Sequence, residues 1–113
     1  MAAKFEIYKD TAGEHRFRLV AGNNQNILAS EGYASKGGAE NGIASVKTNA
    51  PLDARYEKKT STNSKPYFVL KAGNHEIIGT SQMYISSTSR DEGIEAVKRT
   101  APAAPTTDLT RPI

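Results

Sequence analysis

Phe17-Arg18-Leu19-Val20-Ala21-Gly22-Asn23 returns, 51 residues later, as Phe68-Val69-Leu70-Lys71-Ala72-Gly73-Asn74. Worked outward from this pair, the same offset holds without a gap. Phe5 to Pro51 lies over Tyr56 to Pro102. Identical pairs include Glu6/Glu57, Ile27/Ile78, Ser30/Ser81, Tyr33/Tyr84, Ser35/Ser86, Gly42/Gly93, Ile43/Ile94, Val46/Val97, Lys47/Lys98, Ala50/Ala101 and Pro51/Pro102. The chain is therefore a tandem duplication, with repeat 1 at 4–51 and repeat 2 at 55–102. A unit of about 50 residues buries little surface alone, so the two copies are expected to share one core.

The quoted stretch sets the local structure. Phe17, Leu19 and Ala21 alternate with Arg16, Arg18 and Val20, which predicts a half-buried strand over His15 to Ala21. Lys4 to Asp10, with Phe5 and Ile7 at the same period, predicts a strand before it. Gly22-Asn23-Asn24 supplies residues that tolerate positive φ, so a tight hairpin should lead into a third strand, Gln25 to Ser30, carrying Ile27 and Ala29 inward. Repeat 2 gives a weak strand at Arg55 to Lys59, a polar loop at Thr60 to Lys65, and strands at Tyr67 to Ala72 and Glu76 to Ser81.

The period then changes from two to 3.6. Ala39, Ile43, Val46 and Ala50 share one helical face, as do Ile94, Val97 and Ala101. Helices are predicted over Lys36 to Asn49 and Ser87 to Thr100, each followed by proline at 51 or 102. Ser35 is the expected N-cap of the first. For the second, Ser86 competes with Thr88 or Ser89 backed by Asp91 or Glu92. Gly42 and Gly93 fall mid-helix, where glycine costs about 1 kcal/mol relative to alanine. Their place beside the buried face predicts close approach of helix to sheet. Residues 103–113, with Pro105 and Pro112, read as a frayed tail or a short edge strand at Thr106 to Thr110 anchored by Leu109.

These elements give an α+β fold: two tandem β-β-β-α repeats in one pseudo-twofold domain, a single antiparallel sheet and two helices packed on it. Composition narrows the function classes. The 113 residues include no cysteine, so disulfides and thiolate metal sites are excluded. No run approaches the roughly 20 apolar residues of a membrane-spanning helix, and no apolar signal segment opens the chain. The expectation is a cytoplasmic protein, monomeric because the duplication supplies an internal pseudo-dimer. The net charge of +3 is mild.

Gly32-Tyr33-Ala34-Ser35-Lys36, followed by Asn41-Gly42-Ile43-Ala44-Ser45-Val46-Lys47, resembles the signature of the YegP-like family, short bacterial proteins with one or two copies of a domain of unknown function. Asp108-Leu109-Thr110 is similar to the family's usual ending. The second copy departs at Met83 and Glu92, where the pattern has glycine and asparagine. The resemblance implies that two units join into a single sheet, with elements near the unit ends exchanged across the pseudo-twofold axis. Arg55 to Lys59 would then both close the first unit and open the second. The family brings no established catalytic or ligand residues.

The chemical candidates are few. His15 and His75 have neither HxH nor HExxH spacing and read as solvated turn residues rather than metal ligands. Ser35-Lys36-Gly37-Gly38 opens a helix and could hold an anion on free N–H groups, but lacks the Walker spacing; a plain helix start is the competing reading. Arg16 and Arg18 with Tyr8, and Tyr67, Val69, Lys59 and Lys71 in the second half, should project from the open sheet face. There they could bind single-stranded nucleic acid by phosphate contact and base stacking, the alternative to an ordinary solvated face. Tyr33 and Tyr84 recur between strand and helix, either lining a groove or packing as structural rings with hydrogen-bonded hydroxyls. Lys47 and Lys98 suit the negative ends of the helix dipoles. No cofactor, metal or catalytic set is indicated. The reading is a non-enzymatic binding or interaction module of unknown partner, with the groove by Tyr33 and Tyr84 as first candidate.

Overall fold

The structure, a computed structural model, describes residues 3–110. The first repeat forms β1 (Lys4–Lys9), β2 (His15–Val20), β3 (Asn26–Ala29) and α1 (Lys36–Asn49). The second forms β4 (Tyr56–Thr60), β5 (Pro66–Lys71), β6 (Ile77–Thr80) and α2 (Ser87–Thr100). Short 3₁₀ turns at Asp53–Arg55 and Ala101–Ala103 follow the helices, and β7 (Thr106–Asp108) follows the second turn.

One seven-stranded sheet runs in the order β4-β5-β6-β3-β2-β1-β7. The six repeat strands pair antiparallel, and the halves meet at Ala29 opposite Thr80. The sheet is mixed because β7 joins β1 in parallel. Each helix bridges the halves: α1 lies on β2 and β6, α2 on β5 and β3. The core is therefore shared. Phe5, Phe17, Leu19, Phe68, Leu70, Val46 and Val97 are fully buried in a single cluster.

The helix ends follow from the caps. The Ser35 hydroxyl accepts from the Gly38 N–H at 3.0 Å, and that of Ser86 from the Ser89 N–H at 3.1 Å. Ser86 rather than Thr88 or Ser89 thus caps α2. Buried Ser30 and Ser81 have a less visible task. The Phe17 N–H donates to Ser30 Oγ at 2.9 Å, and the Ser30 hydroxyl donates onward to the Glu31 carbonyl at 2.8 Å. Ser81 repeats this with Phe68 and Gln82. The serines complete the sheet's hydrogen bonding where β2 and β5 outrun their partners.

Several expectations are corrected. A bulge at Leu19/Val20 shifts the register of β3, so Ile27 and Leu28 are both buried and Ala29 is exposed. The hairpin turn read at Gly22-Asn23-Asn24 stands, with its positive φ at Asn24 (69°), and His75 (71°) takes that place in repeat 2. Val20 and Val69 stand on the polar face yet are buried. Val20 lies opposite Lys4 and Val69 opposite Glu57, both of them ion-paired. β4 opens the second unit by pairing with β5, but does not pair with the first; the outer edge of β1 is taken by β7. Arg55 and Tyr56 reach the first unit only by side chain, donating to Asn49 Oδ1 and the Ala50 carbonyl at the end of α1. Leu109 stays 49% exposed. Asp108 is the anchor of this segment, bonded to Lys36 Nζ at 2.6 Å and to the Thr110 N–H at 2.8 Å. The tail beyond 110 lies outside the described residues.

Candidate functional site

Tyr33 and Tyr84 each end an aromatic column between sheet and helix. Phe5 meets Phe17 edge-on, and Phe17 stacks on Tyr33 with centroids 6.3 Å apart and planes 15° apart. Tyr56, Phe68 and Tyr84 repeat the column, the last pair at 6.3 Å and 14°. Gly42 and Gly93 admit these rings. A Cβ on Gly42 would stand 2.7 Å from Phe17 Cε2 and from the Tyr33 hydroxyl. One on Gly93 would stand 2.7 Å from Tyr84 Cζ. The close approach read from the glycines is thus made to aromatic rings. Lys47 lies over Phe5 and Lys98 over Tyr56, both at 5.8 Å, so these lysines serve rings as well as helix ends.

Burial raises the pKa of both tyrosines. The Tyr84 hydroxyl is buried; the Gln82 side chain lies beside it without completing a hydrogen bond. A groove of about 550 Å³ opens next to Tyr84, between the β2–β3 turn and α2, with Asn23, Met83, Ile85, Glu92 and Arg99 in its walls. Tyr33 is not part of its lining, so the structure does not bring the two tyrosines into one groove. Ile85 is 90% exposed at the rim.

The open sheet face carries its charges in pairs. Arg16 Nε donates to Asp10 Oδ2 at 2.7 Å, and Arg18 Nε to Glu6 Oε1 at 2.7 Å. The Arg18 guanidinium also lies 4.5 Å over the Tyr8 ring, and Lys4 adds a second cation to Glu6. In the other half Glu57 is bracketed by Lys59 and Lys71. These partners hold the carboxyls of Glu6, Asp10 and Glu57 below their ordinary values, the side-chain hydrogen bonds from Arg18, Arg16 and Lys71 leading. Tyr67 is half-buried opposite Lys59.

The remaining candidates are placed as follows. Lys36 at the start of α1 is ion-paired to Asp108, and the Ser35 hydroxyl is spent on the cap, so the glycine-rich turn presents a finished helix start. His75 is exposed in its turn. His15 is not a solvated turn residue: it begins β2, bridges to Tyr33 through two backbone hydrogen bonds, and has a buried Nδ1. Among the described residues no cluster of histidine and carboxylates has metal-holding geometry, and no helix is long and apolar enough to cross a membrane.

The feature that sequence reasoning missed lies at the far edge of the sheet. A cleft of about 680 Å³ runs between β4 and α2, lined by Tyr56, Lys58, Asp91, Ile94, Glu95 and Lys98, with Asp53 and Glu57 also in its walls. Four of these residues correspond, 51 positions on, to Glu40, Ile43, Ala44 and Lys47. Those four line a smaller cleft of about 230 Å³ on repeat 1, together with Thr106 of β7. Both ends of the sheet thus share one design, and only one carries a seventh strand.

A family described as a domain of unknown function, DUF1508, matches this chain twice, at residues 10–57 and 61–108. The chain belongs to the DUF1508 family. The two matches stand 51 residues apart, the spacing of the internal repeat. A UPF0339 protein in the ptx operon 5′ region of Stutzerimonas stutzeri is 62% identical over 104 residues, covering 92% of this chain and 94% of that protein. The UPF0339 protein YegP of Escherichia coli K12 is 56% identical over 98 residues, covering 87% and 89%. The solution NMR structure of a UPF0339 protein from Shewanella oneidensis superposes with a TM-score of 0.90 at 50% identity, covering 96% of this chain and 92% of that one. That of E. coli yegP gives 0.92 at 50%, covering 100% and 97%. These relatives carry no assigned activity in their names, so function has to be argued from this fold. Each DUF1508 match begins at or just past the first strand of a repeat and ends in the strand after its helix, β4 or β7. The matches therefore take in Tyr56 and Glu57 of β4 and the whole of β7.

Proposed function

We propose that this DUF1508 protein is a non-catalytic, cytoplasmic interaction module that engages a protein partner along the outer edge of β4. One observation carries the reading. The edge of β1 is covered by β7, whereas β4, among the described residues, has β5 as its only strand neighbour and a cleft beside it. An open strand edge offers backbone donors and acceptors to an added strand.

Other observations support a non-catalytic role. The carboxyls with lowered pKa all have ion-pair partners that account for the shift: Glu6, Asp10, Glu57, Asp91 and Asp108 face Arg18, Arg16, Lys71, Lys58 and Lys36. Such shifts reflect structural pairing rather than a poised acid or base. The pairing of Arg16 and Arg18 also weighs against the nucleic-acid alternative. The bridging of both halves by each helix supports a monomer, and a chain without cysteine gains nothing from an oxidising compartment.

Site-specific photocrosslinking tests the reading. A benzophenone side chain at Thr60, exposed at the end of β4, should capture a partner in cells, whereas one at Tyr67 on the open face should not. Capture only from Tyr67, or only in samples not treated with nuclease, would refute it.

A further inference from the structure

We infer that the β4 edge takes an extended peptide in parallel, with a lysine or arginine facing α2 and a carboxylate two residues later facing Lys58. This rests on the edge reading proposed above and adds the chemistry of the occupant.

The template is the chain's own β7. It runs parallel to β1, with Thr106 opposite Phe5 and Asp108 opposite Ile7. The Phe5 N–H donates to the Pro105 carbonyl and the Leu109 N–H to the Ile7 carbonyl, so Phe5 and Ile7 aim their backbone groups outward. Tyr56 and Lys58 are their counterparts, 51 residues on. The Tyr56 N–H is already taken by the Asp53 carbonyl. The Tyr56 carbonyl and both backbone groups of Lys58 then face the open side, because β4 pairs with β5 in the register that β1 uses with β2.

The side chains specify the occupant by how the repeats differ. On repeat 1, Thr106 lines one cleft with Glu40, Ala44 and Lys47. On repeat 2 its place is faced by Asp91, Glu95 and Lys98, and Lys98 is already held by Asp53 and Glu95. Glu95 in place of Ala44 adds a carboxylate to the wall, which calls for a cation. At the second position β7 places Asp108 against Lys36 of α1. Ser87 replaces that lysine in repeat 2, but Lys58 replaces Ile7 on the strand itself. The cation has moved from helix to strand, so an acid at the same peptide position still finds one. Lys58 is 54% exposed and reaches Asp91 at 3.2 Å, a surface pair that an incoming peptide can exchange at little cost. A second copy pairing antiparallel through β4 would set Lys58 against Lys58, which disfavours self-association there.

The test uses the full chain and a fluorescent peptide of the Pro105–Thr110 sequence carrying Thr106→Lys. Fluorescence anisotropy and amide shift mapping should report binding at β4 and the facing side of α2. Affinity should fall about tenfold when the peptide's lysine and aspartate are interchanged, and similarly with Glu95→Ala. Lys58→Pro, which removes the outward N–H, should abolish binding. Equal affinity for both charge orders, or an unaffected Glu95→Ala, would overturn the inferred chemistry. So would absence of binding at millimolar peptide. If the crosslinker at Thr60 captures a partner in cells while charge order is immaterial, the occupant chemistry fails and the edge reading stands. If neither peptide nor partner engages β4, both fail.

Discussion

Gly93→Ala is the sharpest probe of the helix–sheet contact, because two known effects oppose each other there. In a free helix the change would stabilise by about 1 kcal/mol. Here the added methyl would lie 2.7 Å from Tyr84 Cζ and 3.3 Å from Phe68 Cε1. The first distance falls well inside the carbon–carbon optimum of about 3.5–4.0 Å. Overpacking of this kind costs about 1–3 kcal/mol, so net destabilisation of about 1 kcal/mol is expected, or a fall in Tm of about 4–8 °C for a domain near this size. Gly42→Ala should cost more, since its methyl would come within 2.7 Å of the fully buried Phe17 ring, whereas Phe68 stays 3.3 Å from the methyl at Gly93. The tyrosines separate the two sites. Tyr84→Phe removes the hydroxyl closest to Gly93 and should recover most of the loss in Gly93→Ala. Tyr33→Phe should recover less in Gly42→Ala, because Phe17 remains. Thermal and urea denaturation of the four single and two double variants would measure both couplings. A raised Tm in either glycine variant, or equal rescue at both sites, would refute the packing argument.

Three further outcomes are expected. Ser30→Ala should destabilise by about 1–3 kcal/mol in urea melts, because it strands the buried Phe17 N–H; an unchanged midpoint would show that this N–H finds another acceptor. Asp108 is held far below the usual aspartate range, chiefly by the Lys36 hydrogen bond. Its contribution should be complete above about pH 4 and lost as pH falls toward its folded pKa, so Asp108→Asn should flatten the acid limb of the stability curve, and an unaltered limb would contradict the pairing. Labelled single-stranded DNA or RNA should show no micromolar binding even at low salt, whereas salt-sensitive binding lost in Arg16→Ala, Arg18→Ala or Tyr67→Ala would restore the nucleic-acid reading.

What could be read in advance, and what could not, follows from the range of the interactions. Helix limits were legible because they are set locally, by Ser35 and Ser86 at one end and the residues before Pro51 and Pro102 at the other. The inward row Phe5, Ile7, Phe17 and Leu19 was legible because strand alternation is local too. Ala29 was misplaced because the bulge at Leu19/Val20 arises from pairing between strands, which period-two counting does not contain. Val20 and Val69 look exposed by alternation, yet they are buried opposite Lys4 and Glu57 of neighbouring strands. Leu109 looked like an anchor by hydrophobicity, whereas Asp108 holds the segment through a lysine 72 positions away. The β4 cleft was invisible for the same reason: it is defined by the strand that lies on one edge and by the lack, among the described residues, of one on the other.

The pseudo-twofold axis shows why the two copies cannot be interchanged. Leu28 and Gly79 are counterparts, yet a Cβ on Gly79 would stand 2.6 Å from Leu28 Cγ. The leucine of one repeat occupies the space that the glycine of the other leaves free. Two copies of repeat 1 would bring leucine against leucine across the same axis, and two copies of repeat 2 would leave a void there. Each arrangement carries a known penalty, overpacking in the first and a cavity in the second. The duplication has thus become complementary at its centre as well as asymmetric at its edges. Which half receives β7 follows instead from chain order, since β7 comes after α2 and pairs with β1, so the β4 edge, uncovered among the described residues, is a property of the whole chain and not of either repeat.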